Sequence, residues 1–174
     1  PIALKEMYYD WQMISNHSDS YSVLVGAAPK NIVDQYCELL RSAGLTISAL
    51  EIESSAICRA LLAEETPKFA AKNNIELNYG IIDIGAKRTG LILYAHGSII
   101  SSITLPISGD EITERIAKTL EIKKDQAEKA KIICGLDDKV ADGIISKILS
   151  GMIDNLVIKI NTTLDFYNDN YSEL

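Results

Sequence analysis

The stretch IIDIGAKRTG, residues 81–90, decides how the fold is read. An apolar run ends in Asp83, glycine follows at Gly85, and Thr89 closes a polar loop before the apolar run resumes. Two readings are open on these ten residues. Asp and Gly are ordinary turn residues, so a plain turn between two buried strands is one. The other has Asp83 facing a metal ion while the backbone of residues 85–89 wraps phosphate oxygens. Short glycine motifs arise often by accident, so the flanks must decide.

Outward from the loop, YGIIDIG reads as a strand. TGLILYAHGSIISSITLPI reads as two strands joined at AHGS, where Gly97 can take the positive φ of a tight hairpin. Ser108 followed by Glu111 is a capping-box signature, which starts a helix running through Leu120. KKDQAEKAKII is a further helix ending near Gly135. From 137 to 167, Val140, Ile144, Ile148, Met152, Leu156, Ile160 and Leu164 recur every four residues, widened by Ile145, Leu149, Ile153, Val157 and Tyr167. This predicts one helix of roughly 30 residues, against an average of about 11 to 12. Gly143 and Gly151 are its expected weak points or sites of close packing.

Upstream, EMYYDWQMIS has the period of two that suits a strand, NHSDS is turn chemistry, and YSVLVGAA is a second strand, so a hairpin is predicted. Pro29 opens a helix with Ile32, Val33, Tyr36, Cys37, Leu39, Leu40 and Ala43 at helical spacing, stopped by Gly44. LTISALEI reads as a third strand and ESSAICRALL as a second helix. The polar, Pro67-containing stretch 63–78 is the expected boundary between two units.

Composition narrows the functional classes. The 174 residues carry a formal charge of -7 without a basic stripe, which argues against nucleic acid as a partner. No apolar run approaches the roughly 20 residues needed to span a bilayer, so membrane association is expected only through a partner or other chain. Cys37, Cys58 and Cys134 lack metal-ligand spacing and read as buried free thiols of a reducing compartment. His17 and His96 fall in separate polar turns with no matched partner, and read as loop residues.

In combination, SVLVGAAPKNIVDQYCELLRSAGLTISALEIESSAICRALL, IIDIGAKRTGLILYAHGSIISSITLPISGDEITERIA and AEKAK resemble the actin-like ATPase superfamily, and within it the PilM-type pilus assembly proteins. EMYYDWQM and TLDFYND favour PilM over its relative FtsA. The resemblance covers nearly the whole chain. It implies an α/β fold class: a small α+β unit of SHS2/1C-like type over 1–62, the linker 63–78, and over 79–174 part of an actin-like, ribonuclease H-like ATPase subdomain 2A, with a mixed sheet and a long C-terminal helix. It also implies ATP and magnesium. Asp83 would hold the magnesium through water, and the backbone at Gly85, Ala86, Lys87 and Thr89 would face phosphates, as the second of two phosphate hairpins. A Glu-x-x-Lys pair that serves the ribose in this superfamily is matched by Glu128 and Lys131. Read alone these are a solvated ion pair; at i and i+3 they can also reach one ligand together.

The sequence departs from the pattern at Gly90, where many members carry a polar side chain, and at Ser108, often glycine in PilM and FtsA. Neither the first phosphate hairpin nor the later glycine-rich adenosine loop is present. The chain is therefore expected to be a central piece of a protein about twice as long, inactive by itself and binding ATP poorly or not at all. No catalytic residue is assigned. The resemblance implies a cytoplasmic scaffold, peripheral to the inner membrane, that binds the N-terminal peptide of a PilN-like membrane protein and uses ATP as a switch on domain closure. The alternatives are an FtsA-like filament and membrane tether, and a metabolite kinase of the same fold. Self-association is expected through an exposed sheet edge or the long helix.

Overall fold

The computed structural model describes residues 2–16, 21–62, 78–95 and 97–171. His17, His96, the turn after Asn16 and, apart from Asn78, the stretch 63–78 lie outside them. The chain forms two compact bodies: Pro1–Tyr79 with Tyr94–Ile100, and Gly80–Leu93 with Ser101–Leu174.

In the first body, β1 (Met7–Asn16) and β2 (Tyr21–Pro29) pair antiparallel, with Met7 opposite Pro29 and Trp11 opposite Val25. Alternation puts Tyr9, Trp11 and Met13 of β1 beside Val23 and Val25 of β2 on one face, and all five are exposed. Helix α1 (Lys30–Ser42) follows directly from Pro29, and Gly44 ends it at φ +78, a conformation that favours glycine. Tyr8 on β1 donates to Asp34 of α1 at 3.0 Å. Only one side of α1 is half-buried, through Val33, Cys37 and Leu40; Ile32, Tyr36 and Leu39 face solvent. Helix α2 (Glu53–Leu61) carries the buried Cys58. Between the helices the expected third strand does not form: residues 45–52 join no ladder. Ile52 instead lays its side chain over Gly26, where a Cβ would come within 2.7 Å of its Cδ1. Apart from the half-buried Ile47, the rest of the stretch is exposed.

The three strands β3 (Tyr79–Ile84), β4 (Thr89–Ala95) and β5 (Ser98–Leu105) lie side by side in chain order. Gly97, at φ +75, turns the hairpin as its position predicts. Helices α3 (Gly109–Leu120), α4 (Lys124–Cys134) and α5 (Ile144–Tyr171) belong to the second body. Leu91, Leu93, Leu105 and Ile107 bury one sheet face against Leu156 of α5, with Met152, Ile160 and Tyr167 alongside. Ile145 and Leu149 of the same helix pack on Ile116 of α3 and on Ala127 and Cys134 of α4. One apolar stripe on α5 therefore serves two clusters, which accounts for its length.

The long helix starts later than its periodicity predicts. Ala141, Asp142 and Gly143 all have positive φ, at 49°, 52° and 68°, so the chain turns there and the helix opens at Ile144. Val140 reaches the core from outside the helix. Gly143 is a site of close approach, since a Cβ would sit 3.0 Å from the Asp138 carbonyl oxygen, whereas Gly151 faces open space. Among the described residues no helix is long and apolar enough to cross a membrane. The three cysteines are free; Cys58 and Cys134 are buried and Cys37 only partly so.

Candidate functional site

The loop of residues 85–88 is built by one internal bond and two external ones. Gly85 N–H donates to the Arg88 carbonyl at 2.9 Å, closing a tight turn. A Cβ on Gly85 would lie 2.7 Å from that same oxygen, so only glycine fits. The loop's carbonyls then point at the start of α3: Gly109 N–H donates to Gly85 O at 3.0 Å and Asp110 N–H to Ala86 O at 2.8 Å. These are two of the amides that a helix leaves unpaired at its N-terminus. A third is served by Ser108, whose Oγ accepts from Glu111 N–H at 3.2 Å, as the capping signature predicts. Among the described residues the N–H groups of Ala86 and Lys87 make no hydrogen bond.

Asp83 is exposed near the end of β3, and its carboxylate has no hydrogen bond or ion pair among the described residues. Thr89 differs from its neighbours in the loop. Its position in β4 puts it on the same side as Leu91 and Leu93, it is 0% exposed, and its Oγ1 has no partner among the described residues. A buried hydroxyl without a partner costs roughly 1–3 kcal/mol. Beside the loop an open pocket of about 420 Å³ is lined by Lys87, Arg88, Pro106 and Asp110 among others.

Glu128 and Lys131, one turn apart on α4, form an ion pair at 2.7 Å. Neither is simply solvated. Lys131 Nζ also donates to Gly109 O at 3.0 Å and to Thr113 Oγ1 at 2.9 Å. The Thr113 hydroxyl lies against the Glu128 carboxylate. The Lys131 and Thr113 hydrogen bonds hold the Glu128 carboxyl below its ordinary range, because both favour the charged form. The loop and the pair therefore meet at one residue: Gly109 gives its N–H to the loop and its carbonyl to Lys131. Sequence reasoning marked the loop and the pair but passed over Gly109 and Thr113. The signal was in ISGDEIT, where a threonine four residues after glycine shares its helix face.

Which residues fit a nucleotide is answered by these contacts. A glycine turn that no side chain can enter, two adjacent amides without partners and an unpaired carboxylate suit a phosphate group with its metal. Among the described residues no group of three His, Cys, Asp or Glu could hold a metal by itself. A magnesium ion held by one carboxylate, waters and phosphate oxygens needs no such group.

Two compact bodies, a strand-loop-strand hairpin docked on a helix N-terminus and a long covering helix make an α/β protein, and comparison with solved structures gives the actin-like fold. A solved structure titled PilM-PilN type IV pilus biogenesis complex matches 97% of this chain with a TM-score of 0.74 and 23% identity. The family model of type IV pilus assembly protein PilM matches residues 1–173, and the chain belongs to that family. Other relatives are the cell division protein FtsA of Pseudomonas aeruginosa, 28% identical over 113 residues, and that of Neisseria meningitidis serogroup B, 24% identical over 148 residues. They cover 64% and 75% of this chain. The chain spans 48% of the structural neighbour and 25% and 33% of these two FtsA proteins.

Proposed function

We propose that this chain supplies half of a nucleotide cleft in a longer PilM-type scaffold, cytoplasmic and held at the inner membrane by a PilN-like partner. The observation that carries the reading is the junction at Gly109, which ties the glycine loop to the Glu128–Lys131 pair. In this reading Asp83 holds magnesium through water. Gly85 makes the turn that lets Ala86 and Lys87 offer their N–H groups to phosphate oxygens, Thr89 anchors the end of the loop, and Glu128, held in place by Lys131, takes the ribose. Bound Mg-ATP supplies a triphosphate and its counterion, around which domains can close. Calorimetry tests this on a polypeptide extended at both ends. Micromolar Mg-ATP affinity that Asp83→Ala weakens at least tenfold supports the reading; no binding by either protein overturns it.

The partner reading draws on the first body. On its ribbon face and along the Ile32, Tyr36, Leu39 stripe of α1, large apolar side chains stand exposed, as they do at interaction surfaces. The complex named in the structural neighbour's title contains PilN, and we assign these surfaces to a peptide from a PilN-like protein. Trp11, 58% exposed on the ribbon, reports the contact: a blue shift of its fluorescence on adding the peptide is the expected result. The FtsA relatives keep a second reading in view, a division-filament tether, which co-sedimentation with ATP separates from a scaffold.

A further inference from the structure

Thr113 occupies the centre of the candidate site. It is 1% exposed, one turn into α3. Its Oγ1 stands 2.9 Å from Gly109 O and 2.9 Å from Lys131 Nζ, and lies against Glu128 Oε2. A threonine hydroxyl has one proton to give and lone pairs to receive. Lys131 donates into the oxygen, so the proton goes either to the Gly109 carbonyl or to Glu128. The carboxylate is the stronger acceptor, and Gly109 O already has a donor in Lys131. The proton therefore belongs to Glu128, and every member of the cluster is satisfied.

We propose that Thr113 is a positioning residue for nucleotide binding, orienting the Glu128 carboxylate toward the ribose hydroxyls while its partner Lys131 holds Gly109 and, through it, the phosphate loop. The proposal rests on the nucleotide reading given above. It goes further by assigning ribose discrimination to the hydroxyl of a residue that need not touch the ligand. Glu128 has a 45% exposed side chain and keeps one face open. Without Thr113 its flexible chain is held only by Lys131, and the geometry that distinguishes a ribose from a deoxyribose is lost.

The test compares ATP with 2′-deoxy-ATP by calorimetry on the full-length protein and its Thr113→Val and Thr113→Ser variants. The wild type is expected to prefer ATP. Thr113→Val should weaken ATP by roughly tenfold, the worth of a hydrogen bond to a charged group, and 2′-deoxy-ATP by much less, so the preference collapses. Thr113→Ser retains the hydroxyl and should restore it. A merely structural threonine would weaken both nucleotides alike, and an unchanged ratio in Thr113→Val overturns the proposal. If the valine variant does not fold, Thr113→Ala takes its place with the same expected ratio. A wild type that binds neither nucleotide overturns the underlying nucleotide reading, and the proposal with it. Wild-type binding with an unchanged ratio in the variant rejects the positioning role alone.

Discussion

At the scale of single residues, the two glycines of the junction make opposite predictions. Gly85→Ala forces a Cβ to 2.7 Å from a backbone oxygen that cannot move without opening the turn. It should cost about 1–3 kcal/mol, read from thermal or denaturant melting. Gly109→Ala meets the loop no closer than 3.4 Å, an ordinary contact, and should change stability by no more than about 0.5 kcal/mol. Thr89→Val removes a hydroxyl that finds no partner and should stabilise the protein by about 1 kcal/mol or more. Glu128 gives a pH signature. Its folded carboxyl lies below the ordinary range, so the stability it contributes is present above the unfolded value and lost as pH falls through the folded one. Acid melting curves of the wild type should show that loss below the usual glutamate range, and Glu128→Gln should not.

At the scale of elements, α5 shows which part of a periodic pattern carries energy. Ile145 is buried between α3 and α4, and Ile145→Ala should cost about 2–5 kcal/mol. Ile158, equally apolar, is 59% exposed, and Ile158→Ala should change stability by at most about 0.5 kcal/mol. Gly151 lies inside the helix with nothing within 4 Å of where a Cβ would stand, so Gly151→Ala should stabilise by about 1 kcal/mol. These three variants, measured by one denaturation protocol, separate the buried stripe of α5 from its exposed face. The helix caps were legible because they are local: Ser108 and Glu111, Gly44 and Gly135 act within a few residues of chain. Residues 45–52 form no strand, because a strand exists only with a ladder partner and no local pattern states whether one is available.

At the scale of the molecule, the distribution of buried side chains differs between the two bodies. The second body has two apolar clusters. In the first, Cys58, Ala95, Ser98 and Ile99 are the fully buried side chains among the described residues. A two-stranded ribbon with a sparse core is marginal by itself. Together with the edge of β3, whose Ile82 and Ile84 are exposed, this leads us to expect concentration-dependent association of the 174-residue chain. Light scattering over a tenfold concentration range checks it, and a constant monomer mass would remove the expectation. A polypeptide of the structural neighbour's length should associate less, if further chain covers those surfaces.

The sequence by itself determined the hairpins, the helix boundaries at their caps, the glycine loop and the family. Each of these is written in neighbouring residues or in a motif whose spacing is short. Tertiary structure alone decided that Thr89 turns into the core, that Ile52 packs on Gly26, and that Ala141 to Gly143 turn before the long helix begins. It also decided that Glu128 and Lys131 meet the loop through Gly109 and Thr113. These partners lie 15 to 26 residues apart in the chain, a distance over which periodicity carries no information. Only packing brings them within hydrogen-bond or van der Waals range, and packing is where a charged pair on a helix becomes part of a site.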